Sequence, residues 1–188
     1  MGESLNTKTN EPVEEDFYQL LFGVRRSIRY HNRRRLFFDR LNKISKFLAA
    51  VSGTATFASV LAEAGPAWTL SFAALVAAFS AVDLVINTSE AARLHSELAR
   101  QYFELEREMI KCESPIREDI VEFKSRRLEI EANEPPVLKV LDAICHNELL
   151  RALGHDDSLY VGIKWYQRIF AHFFDICEHK LQTASRQR

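Results

Sequence analysis

The chain carries no lysine or arginine from Phe47 to Ala92. Within this stretch lie two apolar runs, Phe47–Ala62 with 16 residues and Ala64–Val82 with 19, separated by Glu63 and broken at Gly65–Pro66. A bilayer core of about 30 Å requires roughly 20 apolar residues in a helix. The pattern therefore predicts a transmembrane hairpin of two helices joined by a very short external turn.

We expect the hairpin to occupy residues 47–86, with its first span at about Ile44–Ala62 and its second at Pro66–Ile86. Runs rich in alanine and serine also occur in buried helices of soluble bundles, and the first run is short for a span. The two adjacent runs, the breaker between them and the one-sided distribution of positive charge favour the membrane.

Small residues recur at four-residue intervals in both predicted spans, a spacing that lets two helix backbones approach closely. The candidate helix-packing residues are Ala49, Gly53, Ala73, Ala77 and Ala81. The candidate pore-lining residues are Ser52, Thr56, Ser59, Ser71 and Ser80. Glu63 and Asp83 are candidate charges at the mouths of a pore, although for Asp83 we favour a carboxylate that reaches headgroup water from near the helix end.

A strongly basic segment precedes the first apolar run. Between Arg25 and Lys46 there are nine lysines and arginines and one acid, Asp39. Such a patch could bind nucleic-acid phosphates, attract anionic lipids or hold the segment on the cytoplasmic side of a membrane. Because the segment ends where the apolar run begins, we favour the two membrane roles. The residues predicted to contact headgroups and set the topology are Arg29, Arg33, Arg34, Arg35, Arg40, Lys43 and Lys46.

Positive charge flanks the hairpin on both sides, since Arg93, Arg100 and Arg107 follow the second run. Positively charged flanks stay in the cytoplasm. We therefore expect a two-pass membrane protein with both termini cytoplasmic.

The rest of the chain predicts an all-α fold. A basic amphipathic helix with an apolar stripe is expected over residues 14–46, and long amphipathic helices that form a cytosolic bundle are expected over residues 87–181. The first helix of the cytosolic region has a narrow apolar seam, and its partner is either the basic helix of the same chain or a second copy of the chain. The polar segments 1–13 and 182–188 are expected to be tails. Within the cytosolic region the spacing predicts helices at 87–113, 117–132, 137–153 and 159–181, and the aromatic last helix either packs in the bundle or lies on the membrane interface.

The sequence contains no motif that indicates catalysis, such as a glycine-rich phosphate loop, GxSxG or HExxH. The three cysteines have no CxxC spacing, and the pair Cys145–His146 and the set His172, Cys177 and His179 fit a tetrahedral zinc site poorly. We predict no enzyme activity, no metal and no cofactor.

The order of several segments resembles that of the SLATT family over about residues 17–181. These segments are SIRYHNRRRLFFDR, the two small-residue spans, ARLHSELARQYFELE and EPPVLKVLDAICHNELLRALG. The resemblance implies a protein of the bacterial inner membrane with two transmembrane helices and a helical cytosolic part. It further implies a pore-forming effector that permeabilises the cell membrane during phage infection and is coupled to nucleotide-second-messenger synthases or nucleotide sensors. The chain has no fused sensor or nucleotidyltransferase, so the trigger would be a separate protein or ligand.

Three hypotheses follow. The first is a homo-oligomeric, pore-forming effector in the lipid bilayer, which needs several copies because one hairpin cannot enclose a channel. The second is a membrane-anchored scaffold or sensor without conduction. The third is a soluble helical bundle that binds a partner through the basic segment. A protein is the favoured partner and a nucleic acid the less favoured one.

Overall fold

A computed structural model describes residues 3–176, 178 and 181, and for residues 3–11, 55, 56, 61, 64, 82 and 83 it describes the backbone alone. Its regular elements are all helices, which confirms the all-α fold class. The helices are α1 (Glu3–Ser52), α2 (Ala55–Ala64), α3 (Pro66–Ile86), α4 (Thr88–Lys111), α5 (Arg117–Glu131), α6 (Lys139–Ala152), a 3-10 turn (Asp157–Leu159) and α7 (Trp165–Phe170).

The chain divides into two compact units. The helical unit consists of the residues before Arg33 and after Ser96, and the hairpin unit consists of Arg33–Ser96. The helical unit therefore contains the first part of α1, most of α4 and all of α5, α6 and α7. The hairpin unit contains the second part of α1, the helices α2 and α3, and the first turns of α4.

The main core of the helical unit is a seam between α1 and α4, with α5 packed on it. Apolar residues recur at three or four positions along both helices, so each helix presents one continuous stripe. The structure buries these stripes against each other, which confirms both predicted seams and shows that the partner of α4 belongs to the same chain. The buried residues are Leu20, Val24, Ile28, Leu98, Tyr102, Leu105, Met109, Phe123 and Ile130.

A second core cluster joins α1 to α6 and to the C-terminal segment. It contains Tyr30, four buried residues of α6 and Ala171. The Tyr30 hydroxyl accepts a hydrogen bond from the Leu138 amide at 3.0 Å. The Asp175 carboxylate accepts from the amides of Lys139 and Val140, at 2.9 and 3.0 Å. A side chain distant in sequence thus satisfies the free amides at the start of α6.

Helix α1 is longer than the sequence predicts. It includes residues from Glu3 onwards that were assigned to a tail, and it continues beyond Lys46 into the first apolar run as far as Ser52. The apolar stripe that guided the prediction marks only the part of a helix that packs. The backbone hydrogen bonds of a helix do not require a buried face, so its ends can extend past the stripe.

The prediction of a continuous first span at Ile44–Ala62 is wrong, because the helix is interrupted at Gly53–Thr54. Thr54 has an extended backbone, and its side-chain oxygen accepts from the Phe57 amide at 3.3 Å, which makes it the N-cap of α2. Glycine is unfavourable inside a helix and threonine is a preferred N-cap, so this pair indicates that one helix ends and another begins. The prediction for Gly53 concerns helix packing alone and does not include this break.

The predicted helix at 159–181 is also wrong. In its place the structure has a 3-10 turn, the six-residue helix α7 and turns. Asn147 Nδ2 of α6 donates to the Val161 carbonyl at 2.7 Å, and Asn147 Oδ1 accepts from the Val161 amide at 2.8 Å. The Gln167 side chain donates to the Ile176 carbonyl at 2.9 Å. These side chains satisfy backbone groups that a continuous helix would have paired internally.

Because α1 and α4 pack closely, a cavity on the buried side of α4 should strongly lower the free energy of unfolding. Replacing the fully buried Leu105 by alanine should lower the free energy of unfolding by about 2–5 kcal/mol, because the apolar contacts are lost and a cavity remains. The matched control, Leu128→Ala, removes the same atoms from a side chain that is 64% exposed and should change it by at most about 0.5 kcal/mol. Thermal unfolding of both variants in detergent, followed by circular dichroism, tests this, and equal effects would contradict the assignment of the core.

Candidate functional site

Helix α3 presents apolar side chains to the outside along its whole length. It has 21 residues and is the one helix among the described residues that is long and apolar enough to cross a membrane. A core helix of a soluble protein can pass the same test of length and composition, but it is then mostly buried. None of the described side chains of α3 is buried, and Leu70 and Leu84 are 73% and 85% exposed.

The turn before α3 explains why α2 and α3 form a hairpin. Gly65 has φ +94°, a left-handed conformation that glycine adopts without a steric penalty. Pro66 then occupies the first position of α3, where its missing amide hydrogen costs no helical hydrogen bond. Beyond the turn the two helices pack through Phe57 and Phe72, whose ring centroids are 4.6 Å apart.

Small side chains leave an apolar hollow between the helices of the hairpin unit, with a volume of about 490 Å³. Two of the predicted packing residues, Ala73 and Ala77, line it, and so does the predicted pore residue Ser52. The remaining lining residues are Phe57, Ala58, Ala62, Thr69, Phe72 and Val76. Ala49, Gly53 and Ala81 are exposed and do not line the hollow.

The other polar candidates are distributed over the surface of the hairpin unit. Ser59, Ser71, Ser80 and Glu63 are exposed, with Glu63 near the end of α2. The side chains of Thr56 and Asp83 lie outside the part of the chain that the structure describes.

Two of the hydroxyls in this unit are bonded within their own helix. Ser52 donates to the Ala49 carbonyl at 3.0 Å, and Ser71 donates to the Ala67 carbonyl at 2.8 Å. Of the candidate lining residues whose side chains are described, Ser52 alone lines the hollow.

The basic residues occupy successive positions of α1 and so point in several directions around it. Arg40, Lys43 and Lys46 are exposed, whereas Arg29, Arg33, Arg34 and Arg35 are partly buried. The guanidinium carbon of Arg34 lies 4.5 Å from the ring centroid of Phe38, a cation–π contact. The basic run is therefore partly packed, and only its last third is fully solvated.

A buried polar cluster of His31, Tyr102 and Glu134 lies outside all of the predicted sites. His31 and Tyr102 are almost fully buried, and their rings stack with centroids 5.6 Å apart. Glu134 Oε1 accepts hydrogen bonds from the Tyr102 hydroxyl at 2.6 Å and from His31 Nε2 at 3.1 Å. The three residues are up to 103 positions apart, so no local pattern could have revealed them.

Burial and hydrogen bonding shift the acidity of this cluster. Burial raises the pKa of the Tyr102 hydroxyl, and the adjacent carboxylate raises it further. Burial alone would raise the pKa of Glu134, but the hydrogen bonds from His31 and Tyr102 outweigh it, and the pKa of Glu134 is lowered. The tyrosine is neutral and the carboxylate is ionised. Their hydrogen bonds connect α1, α4 and the segment that follows α5.

A second polar group lies between α1 and α6. Arg26 Nε is 3.1 Å from Asp142 Oδ1, and the His146 ring packs edge-on against Phe22 with centroids 5.3 Å apart. Burial raises the pKa of Asp142, with Arg26 opposing the shift. Burial, and then the charge of Arg26, lower the pKa of His146, so this imidazole favours its neutral form.

Neither polar group resembles a metal centre. Within residues 3–176, 178 and 181, no three histidine, cysteine, aspartate or glutamate side chains lie close enough together to hold a metal ion. Cys145 is buried in the second core cluster. Cys177 and His179, two of the residues weighed as zinc ligands, lie outside the described residues.

Comparison with known proteins adds no family and no fold: no protein-family model, no curated protein and no solved structure matches this chain. The SLATT resemblance therefore stays an expectation.

The polar cluster predicts a large loss of stability in Tyr102→Phe, which leaves the buried Glu134 oxygen without its closest donor. We expect the free energy of unfolding to fall by about 1–3 kcal/mol. Tyr18→Phe is the matched control, because it removes a hydroxyl hydrogen bond to His155 that is exposed. Thermal unfolding in detergent compares the two, and an effect of Tyr102→Phe no larger than that of the control would show that the cluster is not a structural tie.

The lowered pKa of His146 predicts that acid destabilises the helical unit. The ordinary pKa is 6.5, and the folded value is lower, so below pH 6.5 the unfolded chain binds the extra proton first. This stability is present above pH 6.5 and is lost as the pH falls through the folded pKa. In His146→Gln the thermal midpoint should fall less between pH 8 and about pH 5.5 than in the native protein. An equal fall of the thermal midpoint in both proteins would show that protonation of His146 does not cause the loss of stability.

Proposed function

We propose that this protein is a membrane effector whose copies associate in the bilayer of the bacterial inner membrane and permeabilise it. The observation that supports the proposal best is the exposed apolar surface of α3. At 1.5 Å per residue its 21 residues extend about 31 Å, which matches the hydrocarbon thickness of about 30 Å. Large apolar side chains exposed over such a length would be unfavourable in water.

A second crossing requires the end of α1 together with α2. Alone, the ten residues of α2 extend about 15 Å, half of the hydrocarbon thickness. Residues 47–64 would therefore cross as a broken helix. Backbone groups at a break must be satisfied inside a bilayer. Thr54 meets this need, because its hydroxyl accepts from the Phe57 amide and donates to the Val51 carbonyl at 2.9 Å.

The charges favour cytoplasmic ends for both crossings. Arg40, Lys43 and Lys46 are exposed on α1 just before the apolar run, and Arg93 follows α3. The connecting turn at Gly65 carries no positive charge. This asymmetry supports a two-pass topology with the helical unit in the cytoplasm.

The hollow beside Ala73 and Ala77 supports association between copies. Helices associate in lipid mainly through close packing, for which small residues are suited. A hollow of about 490 Å³ is a gap that a neighbouring helix can fill. Serines exposed on α2 and α3 would then be brought together from several copies, which supplies the polar surface that a pore needs.

A membrane tether without conduction is the second candidate. The Ser52 and Ser71 hydroxyls bond to carbonyls of their own helices, which allows these helices to face lipid without water. In this case the helical unit would bind a partner and the hairpin would only anchor it. In either case we propose that a separate sensor, or a nucleotide signal made by a separate enzyme, acts on the helical unit.

Reconstitution into liposomes that contain a fluorescent dye tests the proposal. We expect the protein to resist carbonate extraction and to release the dye. The double variant Ala73→Leu, Ala77→Leu fills the hollow and should reduce release at equal membrane incorporation.

The matched control is Ala74→Leu, Ala78→Leu, which adds the same volume at exposed positions that do not line the hollow. This control should release dye as the native protein does. Extraction by carbonate would refute the membrane span. Membrane retention without dye release would refute the pore and favour the tether.

A further inference from the structure

The C-terminal segment of the helical unit carries an exposed cluster of large apolar side chains, here called the aromatic patch. It consists of Trp165, Ile169, Phe170, Phe173 and Phe174, which are between 41% and 74% exposed. They lie on α7 and on the turns that follow it. A water-soluble surface rarely exposes five large apolar residues within ten positions.

The backbone that presents the patch is held by polar contacts. Gln167 is 3% exposed, its Nε2 donates to the Ile176 carbonyl at 2.9 Å and its Oε1 accepts from the Lys164 amide at 3.0 Å. Ala171 is buried in the second core cluster. The segment therefore buries a glutamine and exposes five large apolar side chains, which is the reverse of the usual arrangement against water.

The charged side chains of this segment that have no ion-pair partner among the described residues are positive. Lys164 and Arg168 are both exposed, and among the described residues neither forms an ion pair. The two acids of the segment are engaged elsewhere: Asp175 accepts from the amides at the start of α6, and Glu178 pairs with Lys139 Nζ at 2.9 Å. Lys164 also lies 6.0 Å from the Tyr166 ring.

We propose that the aromatic patch docks on the surface of an anionic bilayer. Trp165 and the phenylalanines would enter the boundary between headgroups and acyl chains, and Lys164 and Arg168 would contact lipid phosphates. Aromatic residues flanked by lysine and arginine are typical of this interface. The inference builds on the proposed membrane location but concerns a different part of the chain from the hairpin.

Two other ways to cover the patch fit less well. Residues 182–188 contain no large apolar side chain, so they cannot replace a bilayer. A second copy docked symmetrically would bring its own Lys164 and Arg168 against those of the first, without free acids to compensate them.

The two tryptophans of the chain allow the patch and the hairpin to be tested separately. In Trp68→Phe the remaining tryptophan is Trp165, and in Trp165→Phe it is Trp68 of α3. Each variant is reconstituted into vesicles of phosphatidylcholine alone and into vesicles with equal amounts of phosphatidylcholine and phosphatidylglycerol. The emission wavelength is recorded, together with quenching by lipids brominated on their acyl chains.

We expect Trp165 emission to shift to shorter wavelength and to be quenched by the brominated lipids, more strongly with phosphatidylglycerol than without it. Adding Lys164→Glu and Arg168→Glu should abolish the preference for phosphatidylglycerol. Solvent-like emission in both kinds of vesicle would overturn the inference. A shift without quenching would also overturn it, because protein would then cover the patch.

Trp68 reports on the hairpin independently. Quenching of Trp68 without quenching of Trp165 would overturn the docking of the patch and leave the proposed membrane span intact. Quenching of Trp165 without quenching of Trp68 would support the patch and contradict the span. Circular dichroism of each variant checks that its helical content is unchanged.

Discussion

The packing of α1 against α4 forms the main core of the helical unit. Val24 and Leu105 lie in the middle of two stripes that leave almost no apolar surface exposed between the helices. Helix α5 adds Phe123 and Ile130 to the same core.

Hydrogen bonds between residues far apart in sequence connect the helices of the helical unit in addition to the apolar core. Glu134, after α5, joins α1 and α4 through His31 and Tyr102. Asp175, after α7, accepts hydrogen bonds from the two free amides at the start of α6. Each of these carboxylates satisfies groups that would be costly to leave buried without partners. The helical unit therefore gains a defined arrangement of its helices from few polar side chains, while apolar burial contributes most of its stability.

Two of the exposed apolar surfaces among the described residues suit a bilayer. One is the length of α3, the other is the aromatic patch around Trp165. They belong to different units, and their chemistry differs. Helix α3 is aliphatic and uncharged over most of its length, as the hydrocarbon core requires. The patch is aromatic and flanked by Lys164 and Arg168, as the headgroup region favours. Together they support a protein that both enters a membrane and rests on its surface.

The sequence by itself determined the helical fold, the bounds of α3 and the apolar stripes of α1 and α4, because helical periodicity and helix breakers are local properties. Only the tertiary structure decided the partners of Glu134, the packing of Arg34 on Phe38 and the unwinding of the C-terminal segment. The reason is physical: a side chain such as Asn147 competes for the backbone of Val161 only when folding brings them together. Neighbouring sequence contains no record of such a contact, so periodicity predicted a helix there and the structure formed turns.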